Sequence, residues 1–188
     1  QCKSSSCERQ GNLYTFIEAY FEVCRENMKV LNLTTKWSIL SNNRGIPIEL
    51  LEESGMIYDD GKWVFPVQNF NGSYVNARFF DPDATGKRKT KNLTGVDVAL
   101  MGLEDLASMP DHLPIWVAAG EWDRICLKEI LRKAGMEAVV LAIPGEKIFK
   151  DTWLHFFKDR DVVIAYDHDD DGMKGVKRVA LKLNGIAT

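Results

Sequence analysis

The stretch VVIAYDHDDDGMKG, residues 162–175, places a run of β-branched and apolar residues directly before a densely acidic segment. The aspartates of this segment repel one another unless a cation lies among them; they are Asp167, Asp169, Asp170 and Asp171. A divalent metal ion is a common cation for such carboxylate clusters, and a solvated acidic turn is the alternative. The stretch therefore predicts a strand that ends either in a metal site or in a solvated turn.

Strands and helices are predicted to alternate around this stretch. The apolar runs IWVAA (115–119), EAVVLAI (137–143) and DVVIAY (161–166) predict strands, and an amphipathic segment follows each of them. The second of these segments, EKIFKDTWLHFF (146–157), is predicted as a helix. This alternation predicts an α/β domain whose parallel sheet is flanked by helices. Ligands bind such sheets beyond the carboxyl ends of the strands, where GEWD and the acidic segment both lie, and this favours the metal site.

The chain before Pro110 has a different pattern. Asn12 is the predicted N-cap of a helix, two short helices flank RGI at 44–46, and NFNGS at 69–73 predicts a hairpin turn. A polar basic loop, DPDATGKRKTKNLTG, then leads into VALMGLEDLASMP, which predicts a short strand and a helix. The prolines of MPDHLP mark a domain boundary. A small α+β subdomain is therefore expected before the α/β domain.

The composition is that of a globular protein, with 45% hydrophobic and 27% charged residues. The formal net charge of −3 gives no global nucleic-acid signature, so any basic surface must be local. No apolar run reaches the roughly 20 residues of a membrane span, and the opening QCKSSSCERQGN has no signal-peptide pattern. Four cysteines are too few for a disulfide framework in this chain. We expect a cytoplasmic protein that is neither secreted nor bound to a membrane.

The two strand-end motifs, GEWD and YDHDDDGMKG, together resemble the Toprim domain, which DnaG-type primases, topoisomerases and some nucleases share. The residues before them resemble the N-terminal subdomain of the polymerase core in DnaG-type and phage primase–helicase proteins. RGI, an FP-containing strand, a hairpin, a basic loop and a Leu-Gly-Leu-like segment follow one another in the family's order. The opening CKSSSCERQGNLYTFIEAYF resembles the second half of the primase zinc ribbon. These pieces cover almost the whole chain.

The resemblance implies an α/β fold in three parts. Residues 1–25 correspond to the second half of a zinc-binding ribbon with its following helix, and residues 26–112 to the N-terminal subdomain of the primase polymerase core. Residues 113–188 correspond to a Toprim domain that lacks its last strand. Topoisomerases and nucleases are not expected to share the first two parts, so the resemblance favours the primases.

The resemblance also implies an activity, which is the synthesis of short RNA primers on single-stranded DNA from ribonucleoside triphosphates. A replicative helicase, fused or separate, is the implied protein partner in DNA replication of phage, plasmid or bacterium. Mg²⁺ or Mn²⁺ is the implied cofactor, because carboxylates without a His/Cys set suit these ions better than zinc. Asp167 and Asp169 are the predicted ligands, and Asp171 joins them or holds a second ion. Asp123 is assigned to the same site, with stabilisation of a helix N-terminus as the alternative.

One departure from the family pattern concerns the expected general base. The sequence reads VAAGEWD, and Ala119 stands where the family has a glutamate before the Gly-Glu pair. Glu121 is two positions away and is a weaker candidate for part of that role. Two functions therefore stay open. One is a primase, and the other is a catalytically dead primase-like module that binds single-stranded DNA or tethers a helicase.

A basic segment, KRKTK at residues 87–91, follows the predicted hairpin. The resemblance assigns it to the phosphates of template and nucleotide, whereas a solvated charge run is the alternative. Arg78 on the preceding strand and Arg44 in RGI are weaker candidates for the same role. The predicted nucleic-acid or nucleotide contacts are Lys87, Arg88, Lys89, Lys91, Arg78 and Arg44.

The cysteines are expected to fall into two pairs with different roles. Cys2 and Cys7 lie in a polar loop at a spacing that zinc ligand pairs can have. The resemblance makes them zinc ligands in the complete zinc-binding domain, where two further ligands are needed for a tetrahedral site. Cys24 and Cys126 lie inside helical apolar patterns and are predicted to be core residues.

Overall fold

The computed structural model describes residues 12–86 and 89–188 of the 188-residue chain. Cys2, Cys7, Lys87 and Arg88 lie outside the described residues. The first half of the described chain contains α1 (Leu13–Val30), α2 (Thr34–Arg44), α3 (Ile48–Glu53), β1 (Ile57–Asp59), β2 (Lys62–Gln68), β3 (Tyr74–Phe80) and β4 (Thr90–Asn92). The second half contains α4 (Leu103–Ser108), β5 (Ile115–Ala118), α5 (Glu121–Lys133), β6 (Val139–Ala142), a 3₁₀ helix (Asp151–Phe157), β7 (Val162–Ala165) and α6 (Asp170–Leu183).

The first half is built on an antiparallel sheet in the order β1-β2-β3-β4. The predicted turn joins β2 to β3, where the Asn69 side chain accepts hydrogen bonds from the backbone N–H groups of Asn71 and Ser73. α1 begins after its predicted N-cap Asn12, whose side chain accepts from the backbone N–H groups of Tyr14 and Thr15. One face of α1 packs on the sheet through Ile17, Phe21 and Cys24, which meet Ile57, Val64 and Ala77. This arrangement confirms the small α+β unit before the α/β domain.

The second half is built on a parallel sheet in the order β6-β5-β7, with α5 and α6 as its long helices. β5 is the central strand, and its Ile115 and Val117 are fully buried, as expected for a strand covered on both faces. The predicted α/β architecture is thus confirmed. The segment 146–157 differs from its predicted α-helix, because only Asp151–Phe157 is helical and it is a 3₁₀ helix. Contacts among the rings of Phe149, Trp153 and Phe157 anchor it, and a short connector of this kind needs no long α-helical ladder.

The two halves share a core. Backbone hydrogen bonds join Met101 and Ala142 in both directions, and this single bridge replaces the strand predicted before α4. Val67 of β2 packs with Met101, Ala142 and Ala118 in one buried cluster. The carboxyl end of the parallel sheet therefore lies against the antiparallel half. Within the described part of the chain, no helix has both the length and the apolar character that crossing a membrane requires. The domain boundaries at 25/26 and 112/113 stay predictions.

Candidate functional site

The carboxyl ends of the parallel strands bring acidic residues to one edge of the sheet. Ala118, the last residue of β5, pairs with Ala142 of β6 and with Ala165 of β7, so the three strands end level with one another. Among the acidic residues of the segments that follow, five are here called the acidic edge: Asp123, Glu146, Asp167, Asp169 and Asp171. This edge brings GEWD, residues 120–123, close to residues 167–171, which are here called the acidic turn.

Asp123 lies in the first turn of α5 and faces other carboxylates. Burial raises the pKa of the Asp123 carboxyl, Asp167 and Glu121 raise it further, and Arg44 lowers it. A carboxylate in this turn also favours the helix N-terminus, so both interpretations of Asp123 fit its position. Because Asp123 and Asp167 repel each other, a cation between them would be stabilising.

The acidic turn before α6 contains aspartates with different surroundings. Asp169 is the N-cap of α6, and its Oδ1 accepts the N–H of Gly172 at 2.7 Å. Asp171 accepts a hydrogen bond from Lys147 at 3.0 Å, and this bond lowers the pKa of its carboxyl. Asp167 is exposed, and no cation among residues 12–86 and 89–188 forms an ion pair with it. Asp167 therefore differs from Asp171, whose charge Lys147 compensates.

Glu146 is an acidic-edge residue that sequence reasoning missed. It lies in the loop after β6, and its backbone oxygen accepts a hydrogen bond from Arg178 of α6 at 3.1 Å. Burial raises the pKa of its carboxyl, and Asp169, Asp171 and Asp167 raise it further. A single glutamate in a loop does not form a recognisable sequence motif. The one signal in the sequence was that Glu146 follows β6, the remaining strand of the parallel sheet, just as the other acidic residues follow β5 and β7.

The donor set of the acidic edge suits a divalent metal ion in part. Mg²⁺ and Mn²⁺ bind carboxylate oxygens, and burial together with acidic neighbours raises the pKa of both Asp123 and Glu146. Among the described residues, however, no three His, Cys, Asp or Glu side chains converge closely enough to hold an ion. Ala119 adds no oxygen at the end of the central strand. The edge as folded therefore offers its carboxylates singly or in pairs.

Arg44 places a guanidinium group beside the acidic edge. α2 ends at Arg44 because Gly45 follows in the left-handed conformation, with a φ of 65°. The guanidinium carbon lies 4.2 Å from the ring centre of Trp122 and 4.5 Å from that of Phe80. Burial lowers the pKa of Arg44, while Glu121 and Asp123 raise it. Two aromatic rings thus hold a cation near the acidic edge, and within residues 12–86 and 89–188 the Arg44 guanidinium forms no ion pair that would occupy its donors.

Arg78 and Glu121 have partners that differ from those the sequence suggested. Their side chains are only 9% and 5% exposed and form an ion pair, with Arg78 Nη2 2.8 Å from Glu121 Oε2. Arg78 Nε donates to the same oxygen at 2.9 Å, and Nη1 donates to Asn92 Oδ1 at 3.2 Å. The guanidinium donors of Arg78 therefore serve Glu121 and Asn92 rather than a phosphate. Glu121, turned toward Arg78, does not take the place of the glutamate missing at Ala119.

The described part of the basic segment is exposed. Lys91 belongs to β4, and Lys89 precedes it with its Nζ 5.6 Å from the ring centre of Phe80. Phe80 also contacts Arg44, so the side chain of Lys89 lies on the same aromatic group as the Arg44 guanidinium. The structure thus brings Lys89 near Arg44, whereas it separates Arg78 from them by burial.

The chain has solved structures with a similar fold. A DNA primase domain from Pseudomonas aeruginosa superposes with a TM-score of 0.67 at 16% identity, over 92% of this chain and 66% of that one. A DnaG primase catalytic domain bound to single-stranded DNA gives a TM-score of 0.65 at 14% identity, over 88% and 64%. The primase fragment of the bacteriophage T7 primase–helicase gives 0.57 at 21% identity, over 76% and 59%. No protein-family model and no curated protein matches the sequence.

These similarities define the class of fold. The chain has the fold of the DnaG-type primase catalytic core, in which an antiparallel unit precedes a Toprim domain with a parallel sheet flanked by helices. The fold that the strand-end motifs predicted is confirmed. The chain spans about two thirds or less of each of these primase chains, with 59% to 66% of their length covered.

Proposed function

We propose that this protein is a DNA primase, which synthesises short RNA primers on a single-stranded DNA template by nucleotidyl transfer. The observation that carries the proposal is the acidic edge, where the level ends of β5, β6 and β7 bring the segments with Asp123, Glu146 and Asp167 to one side of the sheet. Burial raises the pKa of the Asp123 carboxyl, and the charge of Asp167 raises it further. Arg44 and Lys89 stand on the opposite, antiparallel side of the same edge. Carboxylates with cations near them suit a substrate that carries both a metal ion and phosphates.

The proposed chemistry divides between the two sides of the site. Asp167 and Asp169 would hold Mg²⁺ or Mn²⁺ as a pair, and Asp123 and Asp171 would join as further ligands once the ion draws the carboxylates together. Capping of α6 uses one oxygen of Asp169, and a carboxylate has about four lone-pair sites, so Asp169 can do both. A bound divalent ion supplies charge neutralisation on the nucleotide phosphates and a lower pKa of the attacking 3′-hydroxyl.

The cations of the antiparallel half complete the proposed site. Arg44 is pre-oriented by Trp122 and Phe80, so it can donate to a phosphate at little entropic cost. Lys89 and Lys91, with the remainder of the basic segment, would hold the phosphates of the template or the nucleotide. These contacts position the substrate and do not read its sequence.

The proposed partners follow from the same function. They are single-stranded DNA, ribonucleoside triphosphates and a replicative helicase, fused or separate, in the cytoplasm of a bacterial or phage-infected cell. One similar structure is a primase catalytic domain with single-stranded DNA bound, which supports the first of these partners. Cys2 and Cys7 stay proposed zinc ligands of the complete zinc-binding domain.

Ala119 favours a second candidate function, a catalytically dead module that binds single-stranded DNA or tethers a helicase. The residue follows the last residue of β5 at the open end of the parallel sheet, where it provides no oxygen for a metal ion and no general base. The Arg78–Glu121 ion pair removes the nearest glutamate as a replacement. This second candidate differs from a primase in that it would bind single-stranded DNA or a helicase but would not synthesise primers.

We expect Asp167→Asn and Asp169→Asn together to weaken Mn²⁺ binding by at least about tenfold, because each change removes one carboxylate charge from the acidic edge. Asparagine is chosen because it also caps helices well, so α6 keeps its N-terminus. Isothermal titration calorimetry with Mn²⁺ measures the effect. Asp170→Asn, in the same turn, is the matched control and should bind Mn²⁺ like the parent. Equal affinity of the double variant and the parent would show that the acidic turn is a solvated turn.

We expect replacement of Lys87, Arg88, Lys89 and Lys91 by glutamine to weaken binding of a single-stranded oligonucleotide. The salt dependence should also flatten, by about 0.7 slope units for each phosphate of the single strand that the variant no longer neutralises. Fluorescence anisotropy across a range of salt concentrations gives both quantities. Lys128→Gln with Lys133→Gln on α5 is the control, and it should change the slope much less per charge removed. If affinity and slope stay those of the parent, the basic segment is a solvated charge run.

A further inference from the structure

We propose that Arg78 and Glu121 are positioning residues that hold β4, with its Lys91 and the preceding Lys89, in place beside the acidic edge. This inference rests on the proposed function, because its readout is binding of single-stranded DNA. Neither side chain is assigned a contact with the substrate. Their ion pair instead connects the two halves of the site through the protein interior.

The pair lies between the elements that carry the two sides of the site. Arg78 belongs to β3, directly opposite Asn92 of β4, and its Nη1 donates to the Asn92 side chain. β4 contains Lys91 and begins directly after Lys89, so the Arg78–Asn92 contact holds the strand that lies next to both lysines. Glu121 is the first residue of α5, two positions before Asp123. One ion pair therefore attaches the paired strands β3 and β4 to the start of the helix that bears Asp123.

A contact between two aromatic rings lies next to the ion pair and further restricts how β3 is oriented relative to α5. Phe80 follows Arg78 by two residues on β3, and Trp122 follows Glu121 on α5. Their rings meet edge to face with centres 5.0 Å apart. An ion pair and a ring pair at neighbouring positions fix both the distance and the rotation of β3 relative to α5, which one contact alone does not do.

Burial explains why the pair is costly to break. With side-chain exposures of 9% and 5%, both charges have left water, and removal of either one leaves the other unpaired in the interior. Replacement of such a pair by apolar residues is often neutral for stability, so stability alone is weak support for its retention. An ion pair has directional hydrogen bonds that can orient β3 and β4 relative to α5, which an apolar contact would not do as specifically.

The inference predicts a change in oligonucleotide affinity that is opposite to the change expected from net charge alone. Neutralising an acidic residue near a polyanion site should tighten binding if only net charge matters. If Glu121 positions the strand with Lys89 and Lys91, Glu121→Gln should instead weaken binding of a fluorescein-labelled oligothymidylate, by about 3- to 30-fold. Glu129→Gln is the matched control, since Glu129 is also buried on α5 but pairs with Arg132 and Lys133 of its own helix. The control should bind as tightly as the parent or slightly tighter.

A charge swap separates pairing from the removal of a side chain. Arg78→Glu combined with Glu121→Arg restores an ion pair and should return the affinity to within about threefold of the parent. Arg78→Met with Glu121→Met keeps an apolar interior without the pair and should bind as weakly as Glu121→Gln. Circular dichroism and urea unfolding report whether each variant is folded. If Glu121→Gln fails to fold, the swap must still bind at least about threefold more tightly than the double methionine variant.

The outcomes distinguish this inference from the proposed function. If the unchanged protein fails to bind the oligonucleotide, the proposed function is wrong. If the unchanged protein binds it and a folded Glu121→Gln binds as tightly or more tightly, the positioning role alone is wrong. The positioning role is also wrong if Glu121→Gln binds weakly and the charge swap recovers nothing, or if the swap and the double methionine variant bind equally.

Discussion

Ala119→Glu in the full-length protein should raise primer synthesis by at least about 100-fold. Position 119 follows the last residue of the central strand β5, whose end is level with those of β6 and β7. A glutamate there would emerge among the carboxylates of the acidic edge and supply a general base or a further metal-side oxygen. General bases contribute roughly 10²–10⁴-fold to enzymatic rates. Incorporation of labelled ribonucleotides on a single-stranded template measures the effect.

Ala119→Gln is the matched control, because glutamine has the size of glutamate without its charge. It should leave synthesis at the level of the parent. Oligonucleotide binding should be similar in all three proteins, since the basic segment is unchanged. If Ala119→Glu binds Mn²⁺ and DNA normally and neither it nor the parent synthesises primers, the primase proposal is wrong and the catalytically dead module is correct.

Gly172→Ala should destabilise the protein by about 2–3 kcal/mol, the range typical of overpacked interiors. A Cβ atom at position 172 would overlap the backbone oxygen of Asp167 and lie 3.0 Å from the carbonyl carbon of the same residue, and this backbone cannot swing away as a side chain can. Glycine to alanine inside a helix normally stabilises by roughly 0.5–1 kcal/mol. The expected sign is therefore the reverse of the ordinary helical effect. Urea unfolding measures the difference.

The same substitution should weaken Mn²⁺ binding by about 10- to 100-fold, as changes just behind metal ligands typically do. The clash must displace the backbone of Asp167, and Asp167 and Asp123 are the carboxylates whose mutual repulsion the ion would relieve. Met173→Ala is the control, because Met173 is the exposed neighbour of Gly172 on α6. It should leave both stability and Mn²⁺ affinity nearly unchanged. A Gly172→Ala variant as stable as the parent would contradict the close approach of α6 to the acidic turn.

Much of the fold was predictable because local patterns and tertiary packing agree. Alternating apolar runs and amphipathic segments predicted the parallel sheet, and the Asn-Gly turn at NFNGS predicted the β2–β3 hairpin. The exceptions are short segments. The 3₁₀ helix Asp151–Phe157 has the apolar spacing of an α-helix, but its ring contacts with the core decide its geometry. The strand expected before α4 is reduced to one bridge at Met101, because only tertiary contact selects how far a short run pairs.

The candidate site was predictable only where acidic residues stand close together in the sequence. Asp167, Asp169 and Asp171 attract attention because like charges at neighbouring positions need an explanation, and Asp123 follows a strand end in the same way. Glu146 has no such signal, since its acidic neighbours lie on other segments. Arg44 was only a weak candidate because its stacking on Trp122 and Phe80 joins three elements that are distant in sequence.

The sequence by itself determined the α/β class, the order of the two halves and the strand end at which the aspartates lie, because periodicity and charge spacing are local properties. Tertiary structure alone decided which charges face each other. The pairing of Arg78 with Glu121 and the compensation of Asp171 by Lys147 depend on contacts between elements far apart in the chain. Whether a charge is buried with a partner or left exposed is a property of its surroundings, and for that reason residues of the same type in one short motif end with different roles.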